Sequence, residues 1–274
     1  MVIRELVSEI SKRLNENAVF EAQQIVMSAA GINNTEFVLN QRTVLSEKTV
    51  KAAREMTQRR INGEPLQYIV GTAGFMGLEF KVNKNVLIPR ADTETLVEEV
   101  LNLMGGKNAD VLDIGTGSGC IGISIAHFNR NAEVTFLDVS EDALNMVQEN
   151  AVLNGVKGEF MRMDILTEYP AKKFDLIVSN PPYIRPEVIA SLQTEVKDYE
   201  PYSALCGGSD GLDFYRRITS IAPKILKQNG ILAFEIGYDQ GAEVLNMMTD
   251  FKDVRLIKDL CGNDRVVIGT LDTL

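Results

Sequence analysis

The sequence predicts an α/β protein whose larger part is a doubly wound, Rossmann-like sheet, mostly parallel with its last strand antiparallel. From about residue 109 onward, short apolar runs alternate with amphipathic segments, which is the pattern of parallel strands and crossover helices. A glycine-rich turn, GTGSG, directly follows the first of these runs, at the sheet edge where such folds bind ligands. The first 70 residues instead repeat apolar residues at helical spacing, which predicts a small helical domain.

The helical domain is expected to span residues 1–70 and to contain three helices. The first, in MVIRELVSEISKRL, has a single apolar stripe and is expected to end near Glu16. The second is expected to stop at Gly31, because glycine readily takes the left-handed conformation that closes a helix. The third begins after Ser46, whose hydroxyl suits an N-cap, and its basic end, QRRING, is expected to be solvated.

A linker and the main domain follow. Residues 71–90 are expected to form a β-hairpin linker whose strands, LEFKV and VLI, flank the turn NKN (83–85). Residues 91–274 are expected to form the main domain, with Asp92 or Thr93 capping its first helix.

Within the main domain, five parallel strands are expected in ADVLDIG, EVTFLDVS, GEFMRMDIL, FDLIVSN and GILAFEIG. The segment FYRRITSIAPKILKQNG is expected to be one helix despite Pro223. The last two apolar segments, DVRLIKDL and DRVVIGTL, are expected to pair antiparallel across the turn CGN (261–263).

The composition argues against several classes of protein. Lys and Arg number 28 against 38 Asp and Glu, a formal net charge of −10, so a general affinity for nucleic acid duplexes is not expected. Three widely separated cysteines and one histidine, His127, argue against a disulfide framework, a metal site and histidine catalysis. The N-terminus is amphipathic and no segment approaches the length of a membrane span, so a cytoplasmic location is expected. The net acidity favours a monomer.

The glycine loop is compatible with two cofactors. GSGCIG (117–122) is formally the dinucleotide fingerprint G-x-G-x-x-G, with Asp138 about 20 residues further on. However, the glycines begin earlier, at Gly115, and Asp113 precedes them at the strand end. A carboxylate there repels a pyrophosphate but attracts a ligand that carries an ammonium group and a sulfonium. The pattern therefore favours S-adenosylmethionine over NAD(P), and a glycine turn that only packs a helix against a strand is a third alternative.

The expected contacts with S-adenosylmethionine lie in the loop and at the ends of the next two strands. The loop glycines allow the backbone to approach the ligand closely, because they carry no side chain. Asp138 is expected to accept hydrogen bonds from the ribose hydroxyls. Asp164 is expected to accept from the adenine amino group, with Ile165 against the ring.

The stretch SNPPYI (179–184) follows the fourth strand and is expected to face the same crevice. A residue before proline is held extended, which fixes the direction of the Asn180 side chain. The Asn180 amide oxygen and the Pro181 carbonyl can accept hydrogen bonds from a planar NH2 group, and Tyr183 offers a flat ring. Such bonds would orient a weakly nucleophilic nitrogen toward a methyl donor without a side-chain base. The alternative is a proline turn with a purely structural role.

Asn-Pro-Pro-Tyr after the fourth strand resembles the signature of class I amino-methyltransferases, which include adenine-N6 DNA enzymes and glutamine-N5 protein enzymes. Further stretches along nearly the whole chain resemble the HemK-type release factor glutamine methyltransferases. These stretches are GEPLQYIVG (63–71), FMGLEFKV (75–82), VLIPRADTE (86–94), DIGTGSGCI (113–121), YEPYSALCGGSDGLDFYRRI (199–218), FEIG (234–237) and DLCGNDRVVIG (259–269).

The resemblance implies a class I methyltransferase sheet and methylation of the glutamine in the Gly-Gly-Gln motif of class 1 peptide chain release factors, with S-adenosylhomocysteine as the second product. It also implies that the helical domain recognises the release factor. Together with the contacts above, it gives a cofactor-binding set: Gly115, Thr116, Gly117, Ser118, Gly119, Asp138, Asp164, Ile165 and Asn180. The substrate-binding set is Asn180, Pro181, Pro182 and Tyr183, of which Asn180, Pro181 and Tyr183 are the expected catalytic residues.

Two other functions fit part of the pattern. An adenine-N6 DNA methyltransferase needs the same acceptors and would flip a base onto Tyr183, but the net acidity and the lack of an obvious target-recognition insert oppose it. The second is a protein that binds S-adenosylmethionine or a release factor but does not catalyse a reaction. Such a protein would not need both the acceptor stretch and the glycine loop, and this chain has both.

Overall fold

The computed structural model of the protein describes residues 1–14 and 18–272. The expected end of the first helix, at Glu16, lies outside the described residues. The chain forms two compact units. The helical unit comprises residues 1–72 and 193–199, and the sheet unit comprises residues 73–192 and 200–274. No helix within the described ranges is both long and apolar enough to cross a membrane.

The helices are, in chain order, α1 (Ile3–Ser11), α2 (Ala18–Ala30), α3 (Asn34–Leu39), α4 (Glu47–Ile61), α5 (Leu66–Val70), α6 (Glu94–Met104), α7 (Cys120–Phe128), α8 (Glu141–Leu153), α9 (Pro186–Ile189), α10 (Thr194–Lys197), α11 (Tyr202–Leu205), α12 (Asp213–Ile225) and α13 (Gly241–Met247). The strands are β1 (Thr72–Phe75), β2 (Leu78–Lys81), β3 (Ala109–Ile114), β4 (Ala132–Asp138), β5 (Gly158–Arg162), β6 (Phe174–Ser179), β7 (Leu226–Glu235), β8 (Phe251–Lys258) and β9 (Asp264–Leu271).

The helical unit is held together by the apolar stripes of α1, α2 and α4. Leu6 and Ile10 of α1 are fully buried with Ile25 of α2, as the helical spacing predicts. The expected ends of two helices are also confirmed. Ser46 accepts a hydrogen bond from the Thr49 N–H at the start of α4, and Gly31 follows α2 with a φ of 65°.

The basic end of α4 is less solvated than its sequence predicts. Only 16% of the Arg60 side chain is exposed, and its guanidinium donates through Nε and Nη2 to both carboxylate oxygens of Glu21, at 2.7 and 2.9 Å. Its Nη1 donates to Glu195 of α10 at 2.7 Å, and the carboxylates around it raise the pKa of the guanidinium. Arg60 therefore joins three segments of the helical unit by charged hydrogen bonds.

We expect Arg60→Met to lower the free energy of unfolding of the helical unit by about 2 kcal/mol, because it leaves the half-buried Glu21 carboxylate without its bidentate partner. The matched control on the same helix is Lys51→Met, since Lys51 and its partner Glu55 are 80% and 66% exposed. That change is expected to shift stability by less than about 0.5 kcal/mol. Urea unfolding followed by circular dichroism measures both, and equal effects of the two substitutions would contradict the assignment.

The hairpin lies closer to the N-terminus than expected. Strands β1 and β2 pair across Met76 and Gly77, and the expected second strand VLI is not a strand. Met76 and Gly77 have φ values of 52° and 73°, and two successive positive φ values give a turn whose twist matches that of paired strands. Asn83 instead accepts a hydrogen bond from the Asn85 N–H, which makes a local turn after β2.

The sheet of the larger unit has the strand order β5-β4-β3-β6-β7-β9-β8, so the predicted doubly wound fold is confirmed. Strands β5, β4, β3, β6 and β7 are all parallel to one another, and β9 is antiparallel to its two neighbours, β7 and β8. Buried residues of α6, α7 and α8 form the core on one face, and those of α12 and α13 form the core on the other. The order changes direction between β3 and β6, where ligand crevices form in such sheets.

Helix α12 ends earlier than expected. The segment from Leu226 to Gly230 belongs to β7 and not to the helix. Pro223 lies in the last turn of α12, where it removes one backbone donor, and Leu226 then pairs with Phe174 of β6. Pairing within the sheet therefore prevails over the helical pattern of the sequence.

Candidate active site

A cavity of about 320 Å³ opens at the carboxyl ends of β3, β4 and β6. Its volume lies within the range of about 300–1,000 Å³ that is common for small-molecule sites. Most of the residues predicted from the sequence line it, namely Gly115, Thr116, Gly117, Ser118, Asp138, Asp164, Ile165, Asn180, Pro181 and Pro182. Two predicted residues, Gly119 and Tyr183, do not line it. The sheet topology thus brings residues that are up to 67 positions apart to one crevice.

The glycine loop forms one wall of the cavity, and hydrogen bonds to neighbouring elements hold its backbone in place. Gly115 donates its N–H to the Leu137 carbonyl of β4 at 2.8 Å. The fully buried amide of Asn150 in α8 donates to the Ser118 carbonyl at 2.8 Å. A Cβ at Gly119 would come within 2.9 Å of Ile123 and Val147, so Gly119 is needed for packing against α7 and α8.

Asp113 lies behind the loop and does not face the cavity, contrary to the sequence-based expectation. Its side chain is fully buried, and its Oδ2 accepts hydrogen bonds from the Thr116 hydroxyl at 2.7 Å and the Gly122 N–H at 3.0 Å. Oδ1 has no hydrogen-bond partner among the described residues. Burial raises the pKa of Asp113 to about 6, although both hydrogen bonds oppose the rise.

We expect Asp113→Asn to change how stability depends on pH. Folding favours the protonated form of a carboxyl whose pKa is raised. That contribution is complete below about pH 4 and is lost as the pH rises through about 6. The free energy of unfolding of Asp113→Asn relative to the unmodified protein should therefore rise by about 2–3 kcal/mol between pH 4 and pH 7. Urea unfolding at three pH values measures it, and a difference that stays constant contradicts the prediction.

Two acidic residues, one at the end of β4 and one just after β5, lie on the cavity wall. Asp138 accepts from the Gly117 N–H through Oδ2 at 3.0 Å and from the Ser140 N–H through Oδ1 at 2.9 Å. Burial raises its pKa, and these backbone hydrogen bonds lower it. Asp164 accepts from the Leu166 N–H through Oδ1 at 3.0 Å, and the neighbouring Ile165 is buried at the wall.

Asn180 follows the last residue of β6, and its side chain is held at one end. The Ser179 hydroxyl donates to the Ile114 carbonyl at 2.7 Å, which ties the end of β6 to the end of β3. Asn180 Nδ2 donates to the Thr93 hydroxyl oxygen at 3.3 Å. Within the described chain, no group donates a hydrogen bond to Asn180 Oδ1, and Asn180 lines the cavity. The amide therefore has one anchored end and one acceptor that is available to a ligand.

Tyr183 is placed differently from the expected stacking ring. It is partly buried against the core beside α12 and α13, and burial raises the pKa of its phenol. Its carbonyl accepts a hydrogen bond from Gln240 Nε2 at 3.0 Å. The next residue, Ile184, forms an isolated parallel bridge with Cys206, which follows α11.

The sequence did not single out four further residues around Asn180. Thr93 was expected only as a possible helix cap, but it makes no side-chain capping bond and instead accepts from Asn180. Glu235 ends β7 and is 2% exposed. Arg90 lines the cavity and donates to both oxygens of the buried Glu200, at 2.6 and 2.7 Å. The sequence contains one signal that could have identified Glu235. It is a charged residue near the end of an apolar strand, as Asp113 is.

Two family models and several known proteins match this chain. The chain matches the family model described as PrmC N-terminal domain over residues 2–71 and the one described as Methyltransferase small domain over residues 91–195. A protein of Geobacter sulfurreducens named Release factor glutamine methyltransferase is 42% identical over 258 residues, which cover 93% of this chain and 90% of that protein. Proteins of the same name from Clostridium botulinum and Bacillus cereus are 46% and 37% identical, and the matches cover 78% and 99% of this chain and 78% and 100% of theirs.

Solved structures show the same fold at lower sequence identity. A methyltransferase from Pyrococcus furiosus superposes with a TM-score of 0.53 at 20% identity, covering 82% of this chain and 98% of that chain. A ribosomal protein L11 methylase from Lactobacillus delbrueckii gives a TM-score of 0.50 at 20% identity, with 70% and 84% coverage.

Proposed function

The chain belongs to the release factor glutamine methyltransferase family, and from this we propose its reaction. The enzyme transfers a methyl group from S-adenosylmethionine to the side-chain amide nitrogen, N5, of the glutamine in the Gly-Gly-Gln motif of class 1 peptide chain release factors. S-adenosylhomocysteine is the second product. The observation that carries the proposal is the Asn180 amide, whose Nδ2 is anchored to Thr93 while its Oδ1 is available beside the glycine loop.

The residues of the cavity fit S-adenosylmethionine. The carboxylate of Asp138 lies at the wall and would accept hydrogen bonds from the two ribose hydroxyls. The buried Ile165 would offer an apolar surface to the adenine, and Asp164 would accept from its amino group. The backbone of the loop from Gly115 to Ser118 is positioned to contact the remainder of the ligand. When bound, this cofactor supplies an electrophilic methyl group on its sulfonium.

The chain's own residues would then orient the acceptor nitrogen. Asn180 Oδ1 and the Pro181 carbonyl accept hydrogen bonds from the two N–H groups of the glutamine amide. These bonds fix the plane of the amide and draw electron density toward its nitrogen as positive charge develops there. Because the acceptors are held by a rigid Pro-Pro segment, little reorganisation is required during the reaction. One of the two N–H protons leaves for solvent after the N–C bond has formed.

The proposal extends to partners and location. The helical unit is assigned to release factor recognition. The proposed domains are 1–70 for recognition, 71–90 as the linker and 91–274 for catalysis, although residues 193–199 belong to the helical unit. The enzyme acts as a cytoplasmic monomer and does not bind DNA directly. The net charge of −10 supports a protein substrate over a nucleic acid substrate.

The reaction is tested with labelled S-adenosylmethionine and three acceptors: a class 1 release factor, the same factor with its Gly-Gly-Gln glutamine changed to alanine, and duplex DNA. Label is expected in the first alone, and mass spectrometry of the tryptic peptide should locate one added methyl group on the glutamine. Label in DNA but not in the release factor would support an adenine methyltransferase instead. Cofactor binding without transfer to any acceptor would support a catalytically silent binding protein.

A further inference from the structure

A polar cluster surrounds the buried Glu235, the last residue of β7, and includes Asn180. We call it the Glu235 cluster, and it consists of Glu235, Thr93, Asn180 and Arg265. Both Glu235 and Thr93 are 2% exposed. A buried carboxylate is destabilising unless it is hydrogen-bonded or paired, so its presence next to the acceptor amide needs a physical reason.

An ion pair with Arg265 does not explain Glu235. The Arg265 guanidinium donates through Nε and Nη2 to Asp259, at 3.2 and 3.0 Å, and through Nη1 to the Ile236 carbonyl at 3.3 Å. Its Nη2 also lies 3.1 Å from Asp92. Arg265 is thus directed mainly at other acceptors, and Glu235 Oε2 has no hydrogen-bond partner in the described part of the chain.

The Thr93 hydroxyl connects Glu235 to Asn180. Thr93 uses an oxygen lone pair to accept from Asn180 Nδ2, so its own hydrogen is available for another acceptor. Side-chain hydrogen bonds from Thr93 and from Asn180 to the Glu235 carboxyl both lower the pKa of that group. A carboxylate accepts hydrogen bonds and cannot donate them, so an ionised Glu235 would fix the direction of the Thr93 hydrogen.

The backbone at Glu235 is itself held in place. The Tyr215 hydroxyl of α12 donates to the Glu235 carbonyl at 2.9 Å, and Tyr215 is fully buried. Glu235 also pairs with Val266 of β9 in the antiparallel ladder. The carboxyl group therefore projects from a fixed point of the sheet.

We propose that Glu235 is a positioning residue for methyl transfer, which acts through the Thr93 hydroxyl to hold the Asn180 side-chain amide with its oxygen toward the acceptor nitrogen. This inference rests on the proposed function, because it concerns the same amide. With Glu235 ionised, Thr93 donates to it and can only accept from Asn180, so Nδ2 must face Thr93 and Oδ1 must face the cavity. With Glu235 protonated, Thr93 can accept from the carboxyl, and the amide is no longer held in one orientation.

The protonation state of Glu235 depends on several neighbouring elements. Burial raises its pKa to about 7, while Thr93, Arg265 and Asn180 lower it and Asp92 raises it. The titratable and charged groups that face it are Arg265 from β9, Asp92 from the turn before α6, Tyr183 after β6, Tyr215 from α12 and Cys120 at the start of α7. Since the ionised form is the one that orients Asn180, kcat should fall as the pH decreases through about 7.

The test compares steady-state methylation of a release factor by the full-length protein and by Glu235→Gln, Thr93→Val and Thr93→Ser. We expect Glu235→Gln and Thr93→Val to lower kcat by roughly 10- to 100-fold, and the KM for S-adenosylmethionine to stay within about two-fold. Thr93→Ser keeps the hydroxyl and should retain most of the activity. The decrease of kcat below about pH 7 should be present in the unmodified enzyme and absent from Glu235→Gln and Thr93→Val.

Thr219→Val is the matched control, because Thr219 is also a buried threonine and its hydroxyl donates to a backbone carbonyl of α12, outside the site. Its kcat should equal that of the unmodified enzyme. If Glu235→Gln fails to fold, the Thr93→Val and Thr93→Ser pair still decides the question. The inference is overturned if Thr93→Val keeps kcat within about two-fold, or if donor affinity falls in parallel with kcat. An unmodified enzyme that methylates no release factor would overturn the proposed function and, with it, this inference.

Discussion

Asn180→Ala is expected to reduce methyl transfer to the release factor by about 100- to 1,000-fold, while the protein folds and still binds S-adenosylmethionine. The substitution removes the acceptor Oδ1, which would otherwise hold the glutamine amide and stabilise the positive charge that develops on its nitrogen. It leaves the Ser179 hydroxyl bonded to the Ile114 carbonyl, so the ends of β6 and β3 stay connected. Single-turnover methylation measures the rate, and calorimetry with S-adenosylmethionine measures binding.

Asn131→Ala is the control for this prediction. Asn131 is an exposed asparagine just before β4, at the opposite edge of the sheet, and its Nδ2 donates to the Gly106 carbonyl at 2.9 Å. It should leave the rate unchanged. If Asn180→Ala instead unfolds at a much lower temperature than the unmodified protein, the Asn-Pro-Pro-Tyr stretch is structural and the catalytic assignment fails.

Gly115→Ala is expected to weaken binding of S-adenosylmethionine by at least about 100-fold, with only a small loss of stability. Gly115 has a φ of 68°, so a side chain there costs about 1–2 kcal/mol of backbone strain. An added Cβ meets no protein atom within 4 Å, and Gly115 lines the cavity. The methyl group would therefore occupy space that the ligand needs.

The control variant Gly105→Ala separates the effect of backbone strain from the steric exclusion of the ligand. Gly105 is also exposed, has a φ of 55° and has no atom within 4 Å of an added Cβ, but it ends α6 away from the cavity. Both substitutions should lower the melting temperature by similar amounts, and only Gly115→Ala should lose affinity in calorimetry. Equal affinities in the two variants would show that the glycine loop does not contact the cofactor.

The ends of the strands at the site could be predicted from the sequence, because a local residue pattern marks each of them. Apolar runs fix β3, β4 and β6, and the glycines, Asp138 and the Pro-Pro pair end them. The parallel pairing of Ile114 with Ser179 then brings the glycine loop and Asn180 together, as the alternation of strands and helices indicates.

Other features depend on contacts between residues that are far apart in sequence. Whether Asp113 faces the ligand or the loop depends on the donors that surround it, Thr116 and Gly122, and not on its own position at a strand end. The placement of Tyr183 depends on its packing against the core beside α12 and α13 and on Gln240, which donates to its carbonyl. Glu235 and Thr93 interact although they are far apart in sequence, and no local pattern in FEIG marks that interaction.

The way in which the helical unit is assembled from the chain has a consequence for recombination between related proteins. The unit is discontinuous in sequence, because residues 193–199 belong to it together with residues 1–72. Arg60 binds Glu195, and the Tyr199 hydroxyl donates to the Asn62 carbonyl at 3.1 Å. A chimaera that exchanged only the N-terminal segment would pair one parent's α4 with the other parent's α10. Functional chimaeras should therefore inherit both segments from a single parent, and substitutions at position 60 should be accompanied by changes at position 195.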